Sequence, residues 1–197
     1  FSKFNYHMLL LDTGDNHADL TEDYAGIPEE MKSVAEALGG ELCRDIRKDE
    51  LIKNIPNLRE KVGERAILRA LHFFDENERV IKQVLALEMK DLDRFLAFMT
   101  ASGNSSFKWL QNIYSVRDPS SQSISLALAL TEQFLERIKA GACRIHGGGF
   151  AGTILILIPD EYVDDYKNWI EPVFGKDCVL PLQIRQPGTV YLNNLVK

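Results

Sequence analysis

Three consecutive glycines, Gly147, Gly148 and Gly149, stand in the stretch "GACRIHGGGFAGTILILIP", directly before a run of aliphatic residues. Glycine has no Cβ, so its backbone N–H groups can approach an anion closely and its φ angle can be positive. The stretch therefore reads in two ways: a tight hairpin with a bulge, or backbone brought against a ligand. Its spacing is neither that of a Gly-x-x-x-x-Gly-Lys-Ser/Thr loop nor a Gly-x-Gly-x-x-Gly turn after a strand, so neither standard phosphate loop explains it.

Three other groups could do chemistry. "DTGDNHAD" brings Asp12, Asp15, His17 and Asp19 within eight residues, but it lacks the spacing and terminal Glu of a calcium loop and reads as a solvated turn. Ser105 and Lys108 in "SSFK" have the spacing of a serine–lysine nucleophile pair; without companion motifs this reads as chance. His72, Glu76 and Arg79 follow at i, i+4 and i+7. They share a helix face, where they could line a cleft, although a surface hydrogen-bond ladder is the preferred reading. No nucleophile elbow, His-Glu-x-x-His motif or paired-carboxylate signature occurs, so by themselves these residues point to an α+β domain that faces a ligand at Gly147–Gly149, and no metal site is expected.

The elements that must carry these residues follow from periodicity. Residues 8–13 read as a short buried strand stopped at Gly14. A helix from about Glu22 or Pro28 to Leu38 has Met31, Val34, Ala35 and Leu38 as its apolar stripe, and Gly39-Gly40 ends it. From Leu51 to Met99 the chain is mostly helical, with Ile67, Leu71, Phe74, Ile81 and Leu85 recurring at helical spacing. "EMKDLD" breaks it before a second stripe of Leu92, Phe95, Leu96 and Met99. "ASGNSS" and "RDPSSQS" are expected loops, and a helix over 122–139 shows Leu126, Leu130, Phe134 and Ile138 on one face. The last third changes period to strand, glycine turn, strand, then a helix with Tyr162, Tyr166, Trp169 and Ile170, then a closing hairpin around Pro187-Gly188. This order predicts an α+β fold, an antiparallel β-sheet packed against helices, in a single domain over residues 1–197.

Composition narrows the classes. A net charge of −6 argues against non-specific nucleic-acid binding, which needs a basic surface. Cys43, Cys143 and Cys178 are widely spaced with no metal pattern, as expected of reduced thiols in a cytoplasmic protein. The longest apolar runs are too short for a bilayer, and no signal peptide is visible. A chain that opens on Phe1 and enters a strand almost at once is expected to be a piece of something longer.

Four blocks together resemble the C-terminal half of galactokinases, in the GHMP small-molecule kinase superfamily. "GACRIHGGGFAGTILILIP" is similar to that superfamily's third motif. "LLLDTGDNHADLTEDYAGIPEEM" resembles the galactokinase strand ending in Asp-Thr, with a His and then a Tyr before a helix. "RALHFFDENERV" resembles its Arg-Ala-x-His helix, and "LQIRQPGTVYL" its closing hairpin. His146 and Ala151 stand where many members carry threonine and glycine, and "AGIPEEM" lacks the basic residues many place after the tyrosine.

The resemblance implies the ferredoxin-like C-terminal domain of a two-domain sugar kinase. It further implies transfer of the γ-phosphoryl of ATP to the anomeric hydroxyl of galactose or a related sugar. Tyr24, Gly147, Gly148 and Gly149 would be the substrate-binding residues. The nucleotide loop, the catalytic Asp and Arg, and most contacts to ATP and magnesium belong to the family's N-terminal half, which has no counterpart here. The chain is thus expected to be inactive alone, with its own N-terminal kinase domain and a sugar as partners. A non-catalytic sugar-sensing relative and an unrelated α+β binding module are the alternative readings.

Overall fold

A computed structural model describes residues 1–15 and 20–184. Strands β1 (Tyr6–Asp12), β2 (Ala142–Ile145), β3 (Thr153–Pro159) and β4 (Val179–Leu182) form a sheet in the order β2-β3-β1-β4. All three neighbouring pairs are antiparallel, with Leu9 opposite Ile156 and Cys143 also opposite Ile156 on its other side. This is the ferredoxin-like order, so the predicted α+β class holds.

The sheet is covered on both faces, which is why β3 reads as an unbroken aliphatic run. On one face Leu9, Leu11, Ile154, Ile156, Ile158 and Val179 pack against α6 (Ser123–Ile138) and α7 (Val163–Phe174). Buried Phe134 and Tyr166 meet edge-on there, and the Tyr166 hydroxyl is satisfied by Thr131 Oγ1 at 2.7 Å. On the other face Met8, Leu155, Leu157 and Ala142 meet Leu96 and Met99 of α5 (Leu92–Ser105). A third apolar centre lies off the sheet, between α1 (Thr21–Ala37) and α4 (Glu64–Glu88). It gathers Val34, Ala35, Leu51, Leu58, Ile67 and Ala70 with the short helices α2 (Lys48–Lys53) and α3 (Ile55–Lys61). Each buried Val, Leu or Ile side chain contributes roughly 1.5–3 kcal/mol by leaving water.

Three expectations need correction. "ASGNSS" is not a loop: α5 runs through it to Ser105 and passes into a π-helical turn, Ser106–Leu110. Packing overrides the weak propensity of these residues. Gly103 lets the helix backbone approach β2, where a Cβ would lie 3.0 Å from that of Arg144, and Ser102 and Ser105 find buried partners. The stripe on α4 divides, because Ile67 is buried while Ile81 and Leu85 are exposed. On α6 the core face is Ile124, Ala127, Leu128, Thr131 and Phe134, and Leu126 points to solvent. The expected hairpin around Pro187-Gly188 lies outside the described residues; β4, the strand before it, pairs with β1.

Candidate functional site

The turn from His146 to Gly152 joins β2 to β3, and its conformation requires glycine. Gly147, Gly149 and Gly152 have φ of +72°, +94° and +95°, and even Phe150 is left-handed at +63°. The hairpin reading and the ligand reading are therefore compatible: the glycines make the turn, and the turn is open on one side.

What shapes it comes from three distant parts of the chain. At the end of β1, Thr13 grips the far side of the turn, its N–H and its hydroxyl both donating to the Gly152 carbonyl, at 2.9 and 2.8 Å. From α1, the Tyr24 hydroxyl donates to the Gly149 carbonyl at 2.7 Å, and its ring stands edge-on to Phe150. The ring also covers Gly148, where an added Cβ would fall 2.6 Å from Tyr24 Cε1. From the segment after the π-helical turn, Asn112 Nδ2 donates to the Gly148 carbonyl at 3.0 Å, while the Asn112 carbonyl accepts the Phe150 N–H at 2.5 Å. A Cβ on Gly149 would collide with the Asn112 backbone oxygen.

The carbonyls of Gly148 and Gly149 are thus tied inward. The amides of the exposed residues Gly147 and Gly148 have no hydrogen-bond partner among the described residues. Successive backbone N–H groups in such mixed-handed conformation form a concavity suited to an anion.

Burial, helped by the charge of Asp23, raises the Tyr24 phenol above its ordinary range, so at neutral pH it is a neutral hydrogen-bond donor. Asp23 itself ties α1 to the 112–118 segment, accepting from Ser115 Oγ at 2.9 Å and from Arg117 Nη2 at 2.6 Å.

The sequence candidates separate at this point. Tyr24 and the three glycines meet in one place. Within the acidic cluster, Asp12 accepts from the Gly14 amide and Asp15 from Ser123; His17 and Asp19 lie outside the described residues. No group of three or more His, Cys, Asp or Glu side chains that could hold a metal ion occurs among the described residues.

Ser105 does not face Lys108. It is buried, and its hydroxyl is hydrogen-bonded to His72 Nδ1 at 2.8 Å. The surface ladder of His72, Glu76 and Arg79 is likewise corrected. His72 is only 7% exposed, and Glu76 binds Ser102, Arg79 and Arg144 between α4, α5 and β2. Helical spacing told which face they share but not that a neighbouring helix covers it. Asn112 escaped sequence reading altogether, because nothing in "LQNIY" distinguishes it from an ordinary loop asparagine.

No protein-family model matches the chain. Curated relatives include the galactokinase of Actinobacillus pleuropneumoniae serotype 3 (strain JL03), 28% identical over 171 residues, a match covering 87% of this chain and 42% of that protein. The galactokinase of Thermotoga petrophila is also 28% identical, covering 83% of this chain and 44% of that protein. Among solved structures, Lactococcus lactis galactokinase complexed with galactose matches with a TM-score of 0.66 at 19% identity, over 91% of this chain and 45% of the other. The last shows a shared fold. Together these bear out the resemblance carried by the four sequence blocks and are consistent with a C-terminal galactokinase domain. The chain spans under half the length of the relatives it matches. None of its described helices is long and apolar enough to cross a membrane.

Proposed function

We propose that this chain is the C-terminal domain of a longer, galactokinase-like sugar kinase, with the glycine turn forming one wall of the phosphoryl-transfer site. The observation that carries this reading is the polarity of the turn. Its carbonyls are held by Asn112 and Tyr24, while the amides of the exposed Gly147 and Gly148 have no hydrogen-bond partner among the described residues. They would donate to phosphate oxygens, and at Gly147 the space a Cβ would fill is open. In phosphoryl transfer, catalysis is mostly positioning and stabilisation of charge on such oxygens.

In the reaction, the anomeric oxygen of galactose or a related sugar bonds to the γ-phosphorus of ATP as the bond to the bridging oxygen breaks. The hydroxyl proton would leave to a base assigned to the N-terminal half of the longer protein. ATP and magnesium are assigned mainly to the N-terminal half of the longer protein, and no magnesium ligand is assigned to this chain. Tyr24 completes the wall. Its hydrogen is given to Gly149, so its oxygen would meet a sugar hydroxyl as an acceptor. The protein would act in the cytoplasm, without nucleic-acid or membrane partners.

The test is a coupled ATP-consumption assay over a panel of hexoses, run on the 197-residue chain and on the longer protein that contains it. Turnover by the longer protein only, with galactose or a close relative, is the expected result. Turnover by the chain alone would refute the incomplete-half reading, and inactivity of a well-folded longer protein would favour a sugar sensor. In the active protein, Tyr24→Phe should raise the apparent Michaelis constant for sugar and leave that for ATP little changed; a defect confined to ATP would sink the assignment.

A further inference from the structure

We infer that Asn112 is the positioning residue of the glycine turn, and that a Glu30–Arg69–Leu110 relay holds Asn112 in place. The inference rests on the proposed site for its catalytic consequence, but its geometry stands independently.

Asn112 is 3% exposed and touches the turn twice, through Nδ2 on the Gly148 carbonyl and through its own carbonyl on the Phe150 N–H. Its amide orientation is fixed by the first of these contacts, since a flipped amide would set oxygen against oxygen. In that orientation Oδ1 is buried without a hydrogen-bond partner among the described residues. A buried acceptor left unsatisfied is unfavourable. The arrangement persists because the donor on the other side of the amide holds the turn.

The backbone leading to Asn112 is irregular just where it must deliver this side chain. The π-helical turn Ser106–Leu110 widens the end of α5, and Gln111 is left-handed at φ +56°. Isolated π-helical turns of this kind recur at functional sites. The carbonyl of Leu110 is in turn held by Arg69 Nε at 3.1 Å. Arg69 lies buried on α4, with Nη1 3.0 Å from Glu30 Oε2 of α1. Arg69 belongs to the "RALH" block, which has no other task in the site. The relay therefore gives that block one: it sets the height of the Asn112 backbone against the turn.

The first arm of the test uses the 197-residue chain. Asn112→Asp keeps the shape of the side chain and removes its N–H donor. Amide exchange and ¹⁵N shifts should change at Gly147–Phe150, with Phe150 losing at least tenfold in protection, while core strand amides are unaffected. An unchanged turn would overturn the inference.

In the longer protein, the Asn112→Asp variant should lose at least tenfold in kcat per folded molecule, with both Michaelis constants moving less than about threefold. An interaction made mainly in the transition state behaves this way. Loss of folded protein with unchanged kcat would reduce Asn112 to a structural residue. If Asn112→Asp does not fold, Asn112→Ser, which keeps the backbone contact and a shorter donor, is read in the same two arms, and a wild-type profile would refute the role. A wild-type longer protein without turnover would refute the kinase reading and leave the turn to be judged by amide exchange.

Discussion

The three glycines are equivalent in the sequence and distinct in the fold. Gly147 has left-handed φ and open space around it, Gly148 ordinary φ beneath the Tyr24 ring, and Gly149 left-handed φ against the backbone of Asn112. Alanine at each should therefore separate three physical effects. Gly147→Ala carries only conformational strain, about 1–2 kcal/mol. Gly149→Ala adds overpacking against a backbone that cannot step aside, for a total of roughly 2–5 kcal/mol. Gly148→Ala should be cheaper than Gly149→Ala, because a ring can tilt where a peptide cannot. Urea unfolding of the three variants checks this ranking, and a loss for Gly147→Ala as large as that for Gly149→Ala would contradict it. The glycines were legible because missing side chains before an aliphatic run are conspicuous. Asn112 was not, because its role depends on a contact across 36 residues, between a helix end and a hairpin.

Among the elements, α4 shows most clearly what periodicity conveys and what it omits. Its spacing put His72, Glu76 and Arg79 on one side, which is correct; that α5 and β2 close over this side comes from Gly103 and from serines that had suggested a loop. Inside that seam, burial holds His72 below its ordinary pKa of 6.5, opposed by the charge of Glu76 and assisted by Arg79 and Arg144. Acidification through 6.5 protonates the imidazole in the unfolded chain before it does so in the folded one. Stability is therefore retained above that pH and lost as pH falls through it toward the lower folded value. The melting temperature should drop between about pH 7.5 and about pH 5.5. In His72→Gln, which keeps a polar partner for Ser105, that part of the slope should vanish; an equal slope in both proteins would show that other groups carry it.

At the scale of the molecule, the described residues build three apolar centres, one on each face of the sheet and one between α1 and α4, and the distal half of α4 serves none of them. Ile81 is 62% exposed, although its spacing from Ile67 marks both as one stripe. Ile67→Ala should destabilise by roughly 2–5 kcal/mol, whereas Ile81→Lys should stay within about 0.5 kcal/mol of wild type. Comparable losses in chemical denaturation would mean that Ile81 is covered after all. Class and element order were legible because alternation and aliphatic runs respond to burial locally. The division of the α4 stripe was not, since it depends on where neighbouring helices end. The sheet order carries a last consequence, for the newborn chain. β1 precedes helices α1 to α6, and both of its partners, β3 and β4, follow them. At translation rates of roughly 5–20 residues per second, β1 waits roughly 7–30 seconds for the first strand that pairs with it, and Leu9 and Leu11 wait nearly as long for the helices that cover them. During that interval they are bare hydrophobic handles, and the success of biogenesis depends on whether a chaperone or another nascent chain reaches them first.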